Sequence, residues 1–177
     1  MKKPRSKKEH SFFRGKRSDE WRTPAPLFAL IAAEWKIGFD LAASPKNKKA
    51  DKFFSRKHNA LVVPWNRGVV NWLNPPFSKA KEFYKKCAEE ALRGVKIVSI
   101  YKAANPETEI WQDLIFPSAN WVCFIRGRVN YDEANGKPSE AVPFGSALIG
   151  YNLSAPPQDL FGKVIVFNRT AKSCNSK

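Results

Sequence analysis

The sequence predicts an α/β protein with an open, mostly parallel sheet whose C-terminal edge turns antiparallel. Three observations carry that expectation. Short apolar runs alternate with helix-patterned segments through the first two-thirds of the chain, as parallel strands joined by right-handed crossovers do. Near the C-terminus the apolar runs crowd together, the spacing of antiparallel neighbours. A hydrophobic fraction of 43%, with 6 Trp and 13 Phe in 177 residues, supports one sizeable core and leaves too little chain for a second.

Taken in order, residues 1–17 carry eight Lys/Arg against Glu9 and read as a disordered basic arm. Residues 18–167 are the expected folded domain, and 168–177 a flexible basic tail. A buried helix is expected over 26–34, with Thr23 as N-cap and Pro24 in its first turn. A strand over 35–41 ends in the small residues Ala42, Ala43 and Ser44, and a Lys-rich loop comes next. Residues 60–63 form a second short apolar run, closed by Pro64, and 69–73 a third strand that stops at Asn74-Pro75-Pro76-Phe77. Ser78 is placed to cap a helix running to about residue 92, with Phe83, Cys87, Ala88 and Ala91 on one face and Gly94 at its end. The β-branched run 95–101 predicts a buried strand, 107–116 a short helix, and 121–125, 129–131, 147–151 and 164–167 the remaining strands.

The net charge of +15 is concentrated. Residues 1–17 hold +7, 46–57 hold +5 and 168–177 hold +3, which leaves the remainder neutral. Positive tails and one positive loop on a neutral body suit a polyanion, because each neutralised phosphate releases counterions. They also serve as simple solubilising charge. Cys87, Cys123 and Cys174 are odd in number and far apart, and His10 and His58 are the only histidines. Neither a disulfide framework nor a metal-ligand spacing emerges, so reduced thiols and no metal are expected. The basic N-terminus lacks a following apolar segment, and no run approaches the ~20 apolar residues of a membrane span. A cytoplasmic protein with no membrane partner, monomeric or weakly dimeric, is the expectation.

Chemistry concentrates at Asn74-Pro75-Pro76-Phe77. In open α/β sheets ligands bind beyond the carboxyl ends of strands, where this segment falls. Two prolines set φ and forbid immediate helix, so the carbonyls before and between them point in defined directions. An Asn oxygen and a neighbouring carbonyl together can accept both hydrogens of a planar amino group such as adenine N6. That pairing favours a pyramidal, nucleophilic nitrogen and needs positioning rather than a strong base. Phe77 offers a face for an extruded base. The same four residues also occur in plain turns.

Further strings accompany this motif in a fixed order: Asp19-Glu20-Trp21 with Thr23-Pro24, then Phe39-Asp40-Leu41-Ala42-Ala43-Ser44, then Phe124-Ile125-Arg126-Gly127-Arg128 and Pro143-Phe144-Gly145-Ser146-Ala147. Together with the (D/N)PP(Y/F/W) match they resemble the phage and prophage N6-adenine DNA methyltransferase (Dam) family, over roughly residues 19–151. The resemblance implies a Rossmann-like fold using S-adenosyl-L-methionine to methylate adenine in double-stranded DNA in a bacterial host cell. It implies catalysis by Asn74, Pro75, Pro76 and Phe77. It implies cofactor contacts from Trp21, Thr23, Pro24, Asp40, Ala42 and Ser44, with the helix start near the methionine carboxylate. Thr23-Pro24 reads equally as an ordinary helix cap. The loop lacks the Gly-x-Gly of many methyltransferases, and Asn59, a further expected cofactor contact whose amide can still hydrogen-bond the adenine edge, stands where the family commonly has an acidic residue.

DNA contacts would come from Lys46, Lys48, Lys49, Arg126 and Arg128, the last two flanking Gly127 at a strand end. Their alternative is edge-strand charge that prevents aggregation. Phe144 and Ser146 would wall the target-base pocket, or form a turn with a buried Phe. Two rival readings stay open: an RNA-adenine or protein-glutamine methyltransferase, and a DNA-binding relative without activity.

Overall fold

The computed structural model describes residues 21–132 and 142–167. The basic arm 1–17, the tail 168–177 and Cys174 lie outside the described residues. Helix α1 (Ala25–Trp35) leads into strand β1 (Ile37–Asp40), followed by β2 (Lys52–Phe53) and β3 (Val70–Leu73). A 3-10 turn (Phe77–Lys79) opens helix α2 (Ala80–Leu92), which returns the chain to β4 (Lys96–Lys102). A π-helical segment (Ile110–Ile115) and a short helical turn (Phe116–Ser118) precede β5 (Trp121–Ile125), β6 (Ser146–Tyr151) and β7 (Gly162–Val166).

These strands form one sheet in the order β2-β1-β3-β4-β6-β5-β7. The pairs β1–β2, β1–β3 and β3–β4 are parallel, and β4–β6, β5–β6 and β5–β7 are antiparallel. The parallel half is thus joined to an antiparallel C-terminal edge, as the sequence predicts for a Rossmann-like methyltransferase fold.

Both faces of the sheet are covered, and the two-residue period of a strand sorts the side chains between them. Along β4, Ile97 and Tyr101 join the core under α2 and the 110–118 segment, with Tyr84, Cys87, Trp111 and Ile115. Val98 and Ile100 point the other way and pack with Ile31 and Trp35 of α1. There the Trp35 ring stacks on Trp121 at 5.2 Å and on Phe161 at 5.8 Å. Trp121 also covers Gly150: a Cβ built on that glycine would meet the indole at 2.0 Å. Cys87 and Cys123 are buried free thiols.

Several expected elements move. Residues 60–63 make a turn rather than a strand, with Ala60 buried beneath it. The strand instead forms inside the Lys-rich loop, where Lys52 and Phe53 pair with Phe39 and Asp40. Its two residues are too few to leave an alternating pattern. Residues 129–131 form no strand; an isolated antiparallel bridge joins Arg22 to Asp132. Thr23 does not cap α1, whose N-cap is Pro24, because its side chain is turned inward. Ser78 does not cap α2 either; the Pro76 carbonyl accepts the Lys79 N–H at 3.0 Å and winds the first turn.

Candidate active site

Strands β1 and β3 lie side by side and in parallel, so the chain leaves both at the same edge of the sheet. After β1 it runs through Leu41–Asn47, and after β3 through Asn74-Pro75-Pro76. A cavity of about 890 Å³ opens between these two exits, floored by Trp72 and bordered by Trp21, Thr23, Phe54 and Leu61. It has the size of small-molecule sites and the position expected of a ligand beyond strand ends.

The Asn74 side chain is held by acceptors. Its Nδ2 donates to the Trp21 carbonyl at 2.7 Å and to the Thr23 hydroxyl at 3.2 Å. A carbonyl oxygen only accepts, so the nitrogen must face it; this fixes which way the amide is turned. What Asn74 has to offer a ligand is its oxygen. The Trp21 segment is itself anchored: Arg22 N donates to Asp132 O and Asp132 N to Arg22 O, both at 2.9 Å. The Trp21 ring meets Tyr131 edge-on at 6.3 Å, and the Tyr131 hydroxyl pairs with Ser146 Oγ at 2.9 Å.

Asp40 closes the opposite wall. It is buried, and its two oxygens accept from Lys49 N at 2.9 Å and Ala42 N at 3.2 Å. These bonds pin the loop that leaves β1, a backbone duty that spacing alone does not reveal. Burial pushes its carboxyl up to about 6, against the pull of those two N–H groups and the Lys49 charge. The Lys49 amine is in turn lowered by burial, opposed by Asp132 and Asp40. Its ammonium lies 5.6 Å from the Phe28 ring centroid.

The cavity gathers Trp21, Thr23, Asp40, Ala42, Ser44, Lys49, Asn59, Asn74, Pro75 and Pro76, most of the residues singled out from the sequence. Ser44 N and Oγ both approach Asn47 Oδ1, at 2.6 and 2.9 Å, tying the turn. Asn59 sits on the rim with φ of 49°, a left-handed conformation that Asn tolerates better than most residues, so turn geometry is one reason for an amide there. Pro24 is not among the lining residues, and Pro26 removes one donor from the first turn of α1, which weakens the case for an anion at that helix start.

Phe77 faces away from this cavity. Its ring packs edge-on against Phe144 at 5.6 Å and Tyr101 at 6.1 Å, with Lys102 Nζ 5.9 Å from both the Phe77 and Tyr101 centroids. The motif therefore sits between two surfaces, the cavity on one side and an aromatic cluster on the other. Sequence reasoning missed Tyr101 and Lys102, although both lie at the end of a strand that runs parallel to β3, where the same strand-end rule applies. Ser146 is buried beneath Tyr131 and presents no surface to a macromolecule; its strand position turns it into the sheet.

The basic residues separate. Arg126 pairs with Asp159 at 3.2 Å on an exposed edge, whereas Arg128 Nη1 donates to the Val142 carbonyl at 3.2 Å. Gly127 between them has φ of 78°, so the turn that parts them requires glycine. Lys48 engages Asp51 at 3.8 Å and the Phe53 ring at 5.7 Å, and Lys46 is exposed.

Among the described residues no cluster of His, Cys, Asp or Glu is arranged to hold a metal ion, and no helix is long and apolar enough to cross a membrane.

The sequence is similar to two phage proteins named DNA N-6-adenine-methyltransferase. One, from Escherichia phage T1, is 35% identical over 88 residues, covering 49% of this chain and 37% of that relative. The other, from Haemophilus phage HP1, is 26% identical over 155 residues, covering 77% of this chain and 88% of the relative. The family model described as DNA N-6-adenine-methyltransferase (Dam) matches residues 10–172. That span includes both walls of the cavity and the aromatic cluster beside it, and the chain belongs to the Dam family.

Proposed function

We propose that this protein transfers a methyl group from S-adenosyl-L-methionine to the N6 amino group of adenine in double-stranded DNA. The observation that carries the reading is the Asn74 amide, held at a strand end beside a cofactor-sized cavity with both hydrogens given to acceptors. An amide so turned accepts from an amino group and is mismatched to a keto oxygen, which favours adenine N6 over guanine O6 or thymine O4.

The residues around the cavity fit a partly apolar cofactor that carries charges of both signs, since one buried acid stands among five Lys and Arg in the lining. Trp72, Phe54 and Leu61 supply apolar wall, and Asp40 supplies a buried acid whose ionised form favours a positive ligand. When bound, S-adenosyl-L-methionine supplies a methyl group on a positively charged sulfur that departs as a neutral thioether. Asn74 Oδ1 and a carbonyl of the Asn74-Pro75-Pro76 segment would accept the two N6 hydrogens and hold the nitrogen lone pair toward the cavity. The half-buried rings of Phe77 and Phe144, backed by the buried Tyr101, provide ring surface on the far side of the motif, suited to stacking a base withdrawn from the duplex. Lys46, Lys48, Arg126 and Arg128, with the basic arm, would contact phosphates.

The test is incorporation of labelled methyl into duplex DNA, RNA and protein offered separately, followed by digestion of the DNA to nucleosides. The expected product is N6-methyladenine in duplex DNA. Label in RNA or protein instead would reassign the acceptor, and failure to bind S-adenosyl-L-methionine in calorimetry would reject the enzyme reading.

A further inference from the structure

The geometry points to the Trp21 carbonyl and the Thr23 hydroxyl as positioning groups that orient the Asn74 amide, so that at position 74 this protein requires asparagine and not aspartate. The inference deepens the proposed reading of Asn74 as acceptor and rests on it.

Thr23 is 1% exposed, yet its hydroxyl caps no helix. A buried hydroxyl needs a partner, and this one accepts from Asn74 Nδ2. The Trp21 carbonyl accepts from the same nitrogen at 2.7 Å, and the Arg22–Asp132 bridge fixes that stretch of backbone. An aspartate at 74 would set its second oxygen against the Trp21 carbonyl, and two acceptors at that distance repel. The Thr23 hydroxyl can rotate and become a donor, but the carbonyl cannot. Such an aspartate would keep the productive geometry only when protonated, its O–H replacing the amide N–H. Position 74 is therefore read from behind by residues 51 and 53 positions away in sequence.

The experiment measures kcat and KM for duplex DNA and for cofactor in the full-length protein and four variants. Thr23→Val removes the acceptor at nearly the same shape and is expected to lower kcat roughly 10-fold, with KM for cofactor within about 2-fold. Thr23→Ser keeps the hydroxyl and is expected to recover most of that loss. Asn74→Asp is expected to be at least about 10-fold slower than wild type at pH 7.5, with the variant-to-wild-type ratio of kcat rising as pH is lowered to 5.5. The other titratable groups around the cavity (Arg22, Asp40, Lys49, Arg56, Lys57, His58 and Lys79) are common to both proteins and cancel in that ratio.

Asn74→Ala separates the two levels. Full turnover in Asn74→Ala overturns the acceptor reading and this inference together. Lost turnover in Asn74→Ala, with Thr23→Val matching wild type or Asn74→Asp fully active at a constant ratio across pH, overturns the positioning role alone.

Discussion

Strands β1 to β3 run two to four residues each and pair in parallel, whereas β4 to β7 run five to seven and, beyond the β3–β4 pair, pair antiparallel. The parallel half spends few residues on the ladder and many on the loops that leave its strands. The β1 exit alone uses the paired oxygens of Asp40 to hold its loop, and the β3 exit uses two prolines and an oriented amide. The antiparallel half does the reverse: β4 and β6 keep an unbroken register over six residue pairs, and Trp121 lies flat against Gly150 with no room for a methyl group. One half is organised around an opening and the other around close packing. Substitutions in the first should therefore strike activity, and substitutions in the second stability.

The largest expected effect is on turnover. Asn74→Ala should reduce kcat by roughly 100-fold or more, the scale of losing one well-placed hydrogen-bonding group at a reacting centre, while leaving the melting temperature and duplex affinity nearly unchanged. A parallel loss of thermal stability would erase the division of labour. Next is Gly150→Ala, which forces a Cβ into the Trp121 ring and should cost about 3 kcal/mol, or on the order of 10 °C in melting temperature for a domain of this size. Thermal unfolding of the purified variant measures it, and an unshifted transition would show that the antiparallel packing is looser than the geometry implies.

A smaller effect is expected in the pH dependence of cofactor affinity. Asp40 is raised from 3.8 to about 6, so it is ionised at pH 7.5 and mostly protonated at pH 5. Loss of that negative charge should weaken binding of a cationic cofactor by up to about 10-fold at pH 5. Calorimetric titration of wild type and Asp40→Asn checks the assignment, since the variant should lose the pH dependence. The smallest effect belongs to the exposed edge: Arg126→Ala should change stability by less than about 1 kcal/mol, because its pair with Asp159 is solvated. If Arg126 also meets a phosphate, the slope of log affinity against log salt should fall by about one. An unchanged slope would confine it to the structural role.

The two halves also differ in how far they are legible from composition and spacing. The apolar strands 121–125, 95–101 and 147–151 announce themselves by apolar runs, β-branched in 95–101, and appear within a residue of their expected bounds. The two-residue β2 does not, because Lys52 and Phe53 owe their strand to pairing with Phe39 and Asp40 rather than to any pattern of their own. Likewise the apolar run 60–63 makes a turn in which Ala60 is buried and Val62 is 71% exposed, so an apolar composition there does not mark a strand. Ser146 and Phe144 fall close together in sequence, but Phe144 lies in the bend before β6 and packs in the aromatic cluster, whereas Ser146 begins the strand and is buried beneath Tyr131.

Short-range patterns suffice to set the α/β class, the mixed sheet and the strand-end location of Asn74-Pro75-Pro76-Phe77, because period, apolar runs and paired prolines act over a few neighbouring residues. Only the assembled fold dictates that Thr23 serves Asn74 rather than a helix end, that Asp40 holds its own loop, and that Phe77 turns from the cavity toward Tyr101 and Phe144. Thr23 and Asn74 meet because buried polar atoms without a neighbouring partner find one across the fold, and Phe77 turns because rings distant in sequence pack against it. No local pattern records that search.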